Sequence, residues 1–230
     1  LGSWNVTSVT DMGNMFYGCT AFNQPLGAWD VSHVTNMAWM FYRCAAFNQP
    51  LGTWDVSRVI DTGGMFFECP TFNQPLGAWN VSSIISMMYM FTGCTNFNQP
   101  LGTWVVSQVT KMYGIFSDCC LSPANYDNLL LGWAQLTLQN GVIFNAGNSQ
   151  YTEAGSDARQ YIINTFGWVI SDKGLYVEDL ADGNKGNNEN SNNKNERTMG
   201  VSWGLWIALI STGLIVCLLR HTDVYRRNTI

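Results

Sequence analysis

Charged residues are scarce in this chain. Lys, Arg, Asp and Glu together make up 12% of its 230 residues, whereas they usually make up about a quarter of a soluble domain. Apolar residues make up 47%. This composition indicates that the chain contains something other than a compact globule with a charged surface. The formal net charge is -5, and the sequence has no basic patch of the kind that nucleic-acid binders carry. The composition therefore argues against nucleic acid as a partner.

Residues and motifs that perform catalysis are also scarce. The chain has 2 histidines, and His33 is the only one that precedes the C-terminal tail. It occupies a position that differs from copy to copy of an internal repeat, which is typical of a solvated surface residue. Neither HExxH, GxSxG, a Walker loop nor a CxxC pair occurs. We therefore predict that the chain is not an enzyme and has no cofactor, metal ion or small-molecule substrate.

The chain has instead an internal repeat with a period of 25 residues. The phrase FNQPLGxW recurs, and Trp and Cys recur at this interval without insertion or deletion: Trp4, Trp29, Trp54, Trp79, Trp104 and Cys19, Cys44, Cys69, Cys94, Cys119. A fixed period of this length is typical of a solenoid, in which each coil packs mainly on the next. Residues 1–4 match the end of the phrase, so we expect the chain to begin inside a repeat.

Each repeat contains signals for two kinds of local structure. Apolar residues at steps of two and three predict a short strand near FNQPLGxW and a helical turn near Met-Phe-x-x-Cys. Pro25 has no amide hydrogen for a central ladder, so this strand must be short or broken. Asn23 and Gln24 can hydrogen-bond to their stacked equivalents or to backbone. We therefore interpret the phrase as scaffold and not as a ligand motif.

The repeat also resembles a known family. The pattern W-[DN]-V-S-x-V-T-x-M-x-x-M-F-x-x-C-x-x-F-N-Q-P-L-G over residues 1–120 is similar to the 25-residue repeat of BspA-like leucine-rich-repeat surface proteins. Residues 121–172 resemble the segment that often closes such arrays. The resemblance implies a solenoid at the cell surface that serves in attachment or partner recognition, and it implies no catalytic residues. In this chain Trp, Phe, Met and Val hold most positions that leucine holds elsewhere.

The fold class that we predict is a repeat solenoid, leucine-rich-repeat-like and mixed α/β, with short parallel strands and helical turns. Residues 1–120 form five repeats, and residues 121–180 form a small α+β cap on the open end. A separate binding domain is the alternative for this second segment. The cap is predicted to contain a helix capped by Ser122 with Pro123 in its first turn, a strand at 142–144, and a helix from Ser156 to Gly167.

The C-terminal part of the sequence predicts a membrane anchor. Residues 181–197 are rich in Asn and Gly and have no aromatic residue, so we expect a disordered spacer. Residues 198–219 carry no charge and would span about 33 Å as a helix, enough to cross a bilayer. The basic tail at 220–230 places the C-terminus in the cytoplasm and the repeats outside. We therefore expect a single-pass protein of the cell surface or plasma membrane.

Cysteines and sequons add two further expectations. The chain has 7 cysteines, and five of them hold equivalent positions that cannot all pair with one another, so we expect a column of buried free thiols. A bridge involving Cys119 or Cys120 stays open, and Cys217 is a candidate for lipidation or for simple packing in the membrane. Asn5 and Asn80 begin N-glycosylation sequons.

Positions that vary between repeats are the candidate contact surface. Because each position becomes a stripe along a solenoid, a partner would dock along these stripes, and exposed aromatic residues are good anchors for it. The predicted partner-contact residues are Trp39, Tyr42, Tyr89, Tyr17, Arg58 and His33. The expected partner is a protein or glycan at the cell surface. The alternatives are a passive spacer or coat element without a ligand, and the anchor of a larger protein with a catalytic domain upstream.

Acidic residues follow Trp in two repeats. Asp30 and Asp55 hold a position that Asn5, Asn80 and Val105 hold in the others. A position that accepts valine is not typical of acid catalysis or calcium ligation. We therefore expect these carboxylates to cap local turns.

Overall fold

The computed structural model describes residues 1–177. The predicted spacer at 181–197, the predicted membrane helix at 198–219 and the basic tail at 220–230 lie outside this range. Among residues 1–177, every helix is too short or too polar to cross a membrane.

Regular secondary structure is confined to the last part of the described range. Its elements are α1 (Pro123–Trp133), β1 (Ile143–Asn145), α2 (Glu153–Phe166) and β2 (Val169–Ser171). Residues 1–122 form turns and isolated bridges, with neither a helix nor a strand. The strand predicted near FNQPLGxW was therefore wrong, and the predicted helical turn is a run of turns.

The backbone ladder between coils lies in the other half of the repeat. Parallel bridges join equivalent residues of successive coils: Asp11, Asn36, Asp61, Ser86 and Lys111. Alternate N–H groups of each coil donate to the next one, for example Phe16 to the Met40 carbonyl at 2.9 Å. A continuous strand does not form here because residues such as Asn14 and Trp39 have a φ of 60°, which is left-handed and not extended.

Side chains replace the backbone ladder around the prolines. Asn48 Oδ1 accepts hydrogen bonds from the Asn73 backbone N–H and from Gln74 Nε2, each at 3.0 Å. The same pair of bonds joins Asn73 to the coil that follows. The predicted hydrogen bonding between stacked copies is confirmed. Proline has no N–H to donate to a backbone ladder. The side-chain hydrogen bonds of Asn and Gln therefore join successive coils here in place of a strand.

The interior consists of stacked columns of aromatic side chains. Phe41 and Phe66 are related by one repeat, and their ring centroids lie 5.7 Å apart with an interplanar angle of 7°. The Trp54 indole donates to the Leu26 carbonyl of the preceding coil at 3.1 Å. Trp133 of α1 continues this series by donating to the Leu101 carbonyl at 3.3 Å. The repeating columns are therefore the core, as their spacing predicted.

The cysteine column behaves largely as predicted. All six described cysteines are free thiols, and four of the five equivalent ones are buried. The exception is Cys19, which is exposed in the first coil, and Cys120 is exposed as well. The Cys69 thiol donates to the Phe41 carbonyl at 2.9 Å. Burial raises the pKa of the Cys44 thiol to about 12, so these groups stay neutral and pack as small apolar residues.

The cap extends the ladder of the repeats. Phe116 of the fifth coil donates its N–H to the Asn145 carbonyl of β1 at 3.1 Å, and β1 pairs in parallel with β2. Helix α2 connects the two strands, because parallel strands need a crossover connection. The predicted α+β cap is therefore corrected to a parallel strand–helix–strand unit.

The helix ends show which local signals were correct. Ser122 caps α1 by accepting a hydrogen bond from Asn125 N–H at 3.4 Å, as predicted. Helix α2 is capped by Thr152 and not by the predicted Ser156, because Thr152 Oγ1 accepts the Ala154 N–H at 3.2 Å. Gly167 ends α2 with a φ of 66°, and this prediction is confirmed.

Candidate functional site

A groove of about 550 Å³ lies on one side of the repeats. It is lined by five aromatic residues and one asparagine: Asn14, Tyr17, Trp39, Tyr42, Phe67 and Tyr89. These residues come from four consecutive coils, so the groove exists only when the coils are stacked. We refer to these six residues as the aromatic groove.

Two walls of the aromatic groove come from a single column in which bulky residues alternate with glycine. Trp39, Gly64, Tyr89 and Gly114 hold the same position in successive coils, and all have positive φ. The Trp39 ring lies against Gly64, and the Tyr89 ring lies against Gly114. Because glycine has no Cβ, each ring can pack directly on the backbone of the next coil. The alternation thus places one large ring on every second coil.

A second column supplies the floor. Tyr17 and Tyr42 stack with centroids 4.2 Å apart, and Tyr42 stacks on Phe67 at 5.1 Å. The Trp39 ring is tilted by 54° to Phe67 at 5.9 Å, and Tyr89 meets Phe67 at 74° and 6.4 Å. Phe67 is therefore flanked by two steep aromatic walls. Such ring pairs are worth about 0.5–1.5 kcal/mol each beyond their buried area.

An ion pair lies at the rim of the aromatic groove. Arg43 Nε donates to Glu68 Oε2 at 2.7 Å, and the side chains are 54% and 45% exposed. The guanidinium also lies over the Tyr42 ring, 5.0 Å from its centroid. The hydrogen bond to Glu68 raises the pKa of Arg43. Because the two charges offset each other, the rim adds no net charge next to the aromatic rings.

Four of the six predicted contact residues meet in this groove. Trp39, Tyr42 and Tyr89 are half-buried. The reason is that Trp39 and Tyr89 pack on glycines of the next coil and Tyr42 stacks on Phe67. Tyr17, in contrast, is 53% exposed.

The other two predicted contact residues lie elsewhere. His33 and Arg58 are exposed on the turn that follows each Trp, and neither lines the groove. His33 is within 3.3 Å of the Ser32 hydroxyl. A role for any of these six residues in partner binding stays a prediction.

Sequence reasoning did not select Phe67 or the two glycines. Phe67 belongs to the same column as Tyr17 and Tyr42, so its position was visible in the repeat. Its role as the floor depends on the tilt of the neighbouring rings, which no single column reveals. The signal that could have located the groove is the alternation of a large aromatic residue with glycine at one repeat position.

The acidic residues that follow Trp cap turns. Asp30 Oδ1 accepts the Ser32 backbone N–H at 3.1 Å, and Asp55 Oδ1 accepts that of Ser57 at 3.0 Å. Hydrogen bonds from the side chains and backbones of these serines lower the pKa of both aspartates. The predicted turn capping is confirmed.

The two sequon asparagines form the same turn. Asn5 Oδ1 accepts the Thr7 hydroxyl, and Asn80 Oδ1 accepts the Ser82 hydroxyl, each at 2.7 Å. Both asparagines are exposed. Glycosylation at these positions stays a prediction.

The cap contains a partly buried polar cluster. Tyr126 Oη and Arg159 Nε both donate to Asp172 Oδ2 at 2.7 Å. Burial and the nearby carboxylate raise the pKa of Tyr126. Its hydrogen-bonding groups are directed at one another, which is typical of a structural network. Among residues 1–177, no cluster of three His, Cys, Asp or Glu residues is placed to hold a metal ion.

The described chain is a repetitive region with a 25-residue period, periodic buried aromatic residues and a small parallel α/β element, and it presents the aromatic groove on one side. Residues 1–80 and 50–133 match the family described as Mycoplasma protein of unknown function, DUF285, and the chain belongs to this family. No curated protein and no solved structure matches the chain.

Proposed function

We propose that the chain is a recognition protein that binds a partner through the aromatic groove. The observation that carries this proposal is the convergence of five aromatic side chains from four coils around one groove of about 550 Å³. Tyr and Trp are enriched among the residues that supply most of the binding energy in protein interfaces. The groove therefore supports partner recognition better than a passive spacer, which needs no such cluster.

Pre-organisation of the rings supports the same proposal. Trp39 packs on Gly64, and Tyr89 packs on Gly114, so both rings are held before a partner arrives. Rings that are already ordered lose less conformational entropy on binding. The half-buried state of these residues thus favours a contact surface that keeps its shape.

The setting of this recognition is proposed from the sequence. We place the protein at the cell surface or plasma membrane, anchored through residues 198–219 with its C-terminus in the cytoplasm. The partner is then a protein or a glycan outside the cell. The similarity of the repeat to BspA-like leucine-rich-repeat surface proteins favours attachment as the biological role, and no catalytic activity is proposed.

A binding screen with matched variants tests this proposal. The full chain, in detergent, is applied to protein arrays and glycan arrays, together with Tyr89→Ala and Tyr161→Ala. Tyr161 is a suitable control because it is an exposed tyrosine on α2, outside the groove. We expect the wild type and Tyr161→Ala to bind the same targets and Tyr89→Ala to lose about tenfold or more in affinity, as for a central anchor.

Two results would contradict the proposal. One is a folded wild-type chain that binds no target on either array, which would favour a passive spacer or coat element. The other is equal binding by all three proteins, which would place recognition outside the aromatic groove. Thermal melting of each variant shows that the comparison is made between folded proteins.

A further inference from the structure

We propose that the aromatic groove binds an uncharged, proline-rich segment of a partner protein in the polyproline II conformation. This inference rests on the proposed function and specifies the chemistry of the partner. Aromatic-lined grooves are a recurrent way to recognise such segments, because the polyproline II helix is already ordered and loses little entropy on binding.

The spacing of the walls supports this occupant. Trp39 and Tyr89 lie two coils apart within the backbone ladder, where Trp39 N–H donates to Gly63 O at 2.8 Å and Gly64 N–H donates to Met88 O at 2.7 Å. Adjacent rungs of such a ladder are about 4.8 Å apart, so the two walls repeat at about 9.6 Å. One turn of a polyproline II helix advances about 9.3 Å. Successive turns of the peptide therefore meet equivalent walls.

The shape of the groove also favours a ridged ligand over a flat one. Tyr42 stacks on Tyr17 on one side and on Phe67 on the other, so both faces of this middle ring are covered. Trp39 and Tyr89 stand at 54° and 74° to Phe67. The result is a slot between two walls, which suits a pyrrolidine ring. A sugar that stacks flat would need an exposed ring face as a platform.

Hydrogen-bond donors are available on both walls. A polyproline II helix has no internal hydrogen bonds, so its carbonyl groups seek donors. The core indoles of Trp54 and Trp79 donate to the carbonyls of Leu26 and Leu51. Within the described part of the chain, Trp39 Nε1 and Tyr89 Oη have no such protein partner. Both can therefore donate to peptide carbonyls.

The charge of the site completes the argument. None of the six lining residues is charged, and Arg43 at the rim is already paired with Glu68 at 2.7 Å. Acidic or basic peptides would find no partner for their charges there. An uncharged segment loses no favourable solvation of charge on entering the groove.

Oligoproline binding to the full chain tests the inference. Calorimetry measures the affinity of oligoproline, of a Gly-Ser peptide of the same length, and of cellohexaose as a neutral glycan. The variants are Tyr89→Phe, which keeps the ring and removes the hydroxyl, and Tyr161→Phe as a matched control on α2. We expect oligoproline to bind, the Gly-Ser peptide not to bind, and Tyr89→Phe to weaken oligoproline binding about threefold to tenfold, as for one hydrogen bond.

The outcomes separate this inference from the proposed function. Oligoproline binding that Tyr89→Phe weakens and Tyr161→Phe does not change supports the inference. Groove-dependent binding of cellohexaose in place of oligoproline overturns it and retains the proposed function with a glycan partner. Failure of all three probes also overturns it, and the array screen then decides the proposed function independently.

Discussion

The indole of Trp39 packs directly against Gly64 of the next coil, whose φ is 60°. A Cβ at Gly64 would overlap the indole. A residue as large as Trp39 therefore fits in this position only because residue 64 has no side chain. Tyr89 and Gly114 repeat this relationship two coils further on. The spacing of the two groove walls thus depends on Gly64 and Gly114. Both glycines hold a position that varies between repeats.

Gly64→Ala is expected to destabilise the protein in two ways. The alanine would be strained at positive φ, by about 1–2 kcal/mol, and its Cβ would displace the Trp39 ring at a further cost of about 1 kcal/mol or more. Gly141→Ala is the matched control, because Gly141 has a φ of 68° but open space around it. Urea denaturation should show a larger loss for Gly64→Ala. Equal losses would mean that Trp39 does not depend on Gly64.

The paired substitution Asn73→Ala with Gln74→Ala should lower the melting temperature. Asn73 Oδ1 accepts the Asn98 backbone N–H at 3.0 Å and Gln99 Nε2 at 2.9 Å. Loss of this acceptor removes hydrogen bonds between two coils, each worth about 0.5–1.5 kcal/mol net, and Asn98 is exposed, so water can partly replace them. Asn73→Asp keeps the acceptor and should retain most of the stability. An unchanged melting temperature combined with lost partner binding would contradict the scaffold interpretation.

The stability of the protein should fall at alkaline pH. Burial raises the pKa of the Cys44 thiol to about 12, whereas an unfolded thiol titrates near about 8.5. A raised pKa in the folded state gives stability that is complete below the unfolded pKa and is lost as the pH rises toward the folded pKa. The urea concentration at the unfolding midpoint should therefore decrease as the pH is raised from the unfolded pKa toward the folded pKa. Cys44→Ala should flatten this decrease, and an identical slope would contradict the prediction.

Arg159→Met should destabilise the cap by about 3 kcal/mol, because it leaves the buried carboxylate of Asp172 without its cation. The side chains of Arg159 and Asp172 are 19% and 3% exposed. Arg43→Met is the matched control at an exposed pair, where the loss should be less than about 1 kcal/mol. Chemical denaturation measures both variants. Equal losses of stability in the two variants would contradict the prediction, because they would show that burial of Asp172 does not increase the cost of removing its cation.

Local and periodic features were predictable from the sequence. The 25-residue period, the buried columns and the capping roles of Ser122, Asp30 and Gly167 follow from residue types at short or repeating separations. The strand was placed in the wrong half of the repeat, because a ladder depends on which N–H groups face the next coil. Pro25 has no N–H group for such a ladder. Next to it, Asn23 Oδ1 accepts hydrogen bonds from the Asn48 backbone N–H and from Gln49 Nε2 of the next coil.

The amino-acid order alone therefore decided the period, the apolar columns, the start of α1 and the end of α2, because each depends on neighbours within a few residues or on a strict repeat. The start of α2 at Thr152 was not among these features. The tertiary structure decided the site. Stacking brought Tyr17, Trp39, Tyr42 and Tyr89 around Phe67 and left His33 and Arg58 elsewhere. The reason is physical: the left-handed backbone at Trp39 and Tyr89, together with a glycine on the following coil, orients their rings. The alternation with glycine can be read from the sequence, but the orientation of the rings exists only when the coils are in contact.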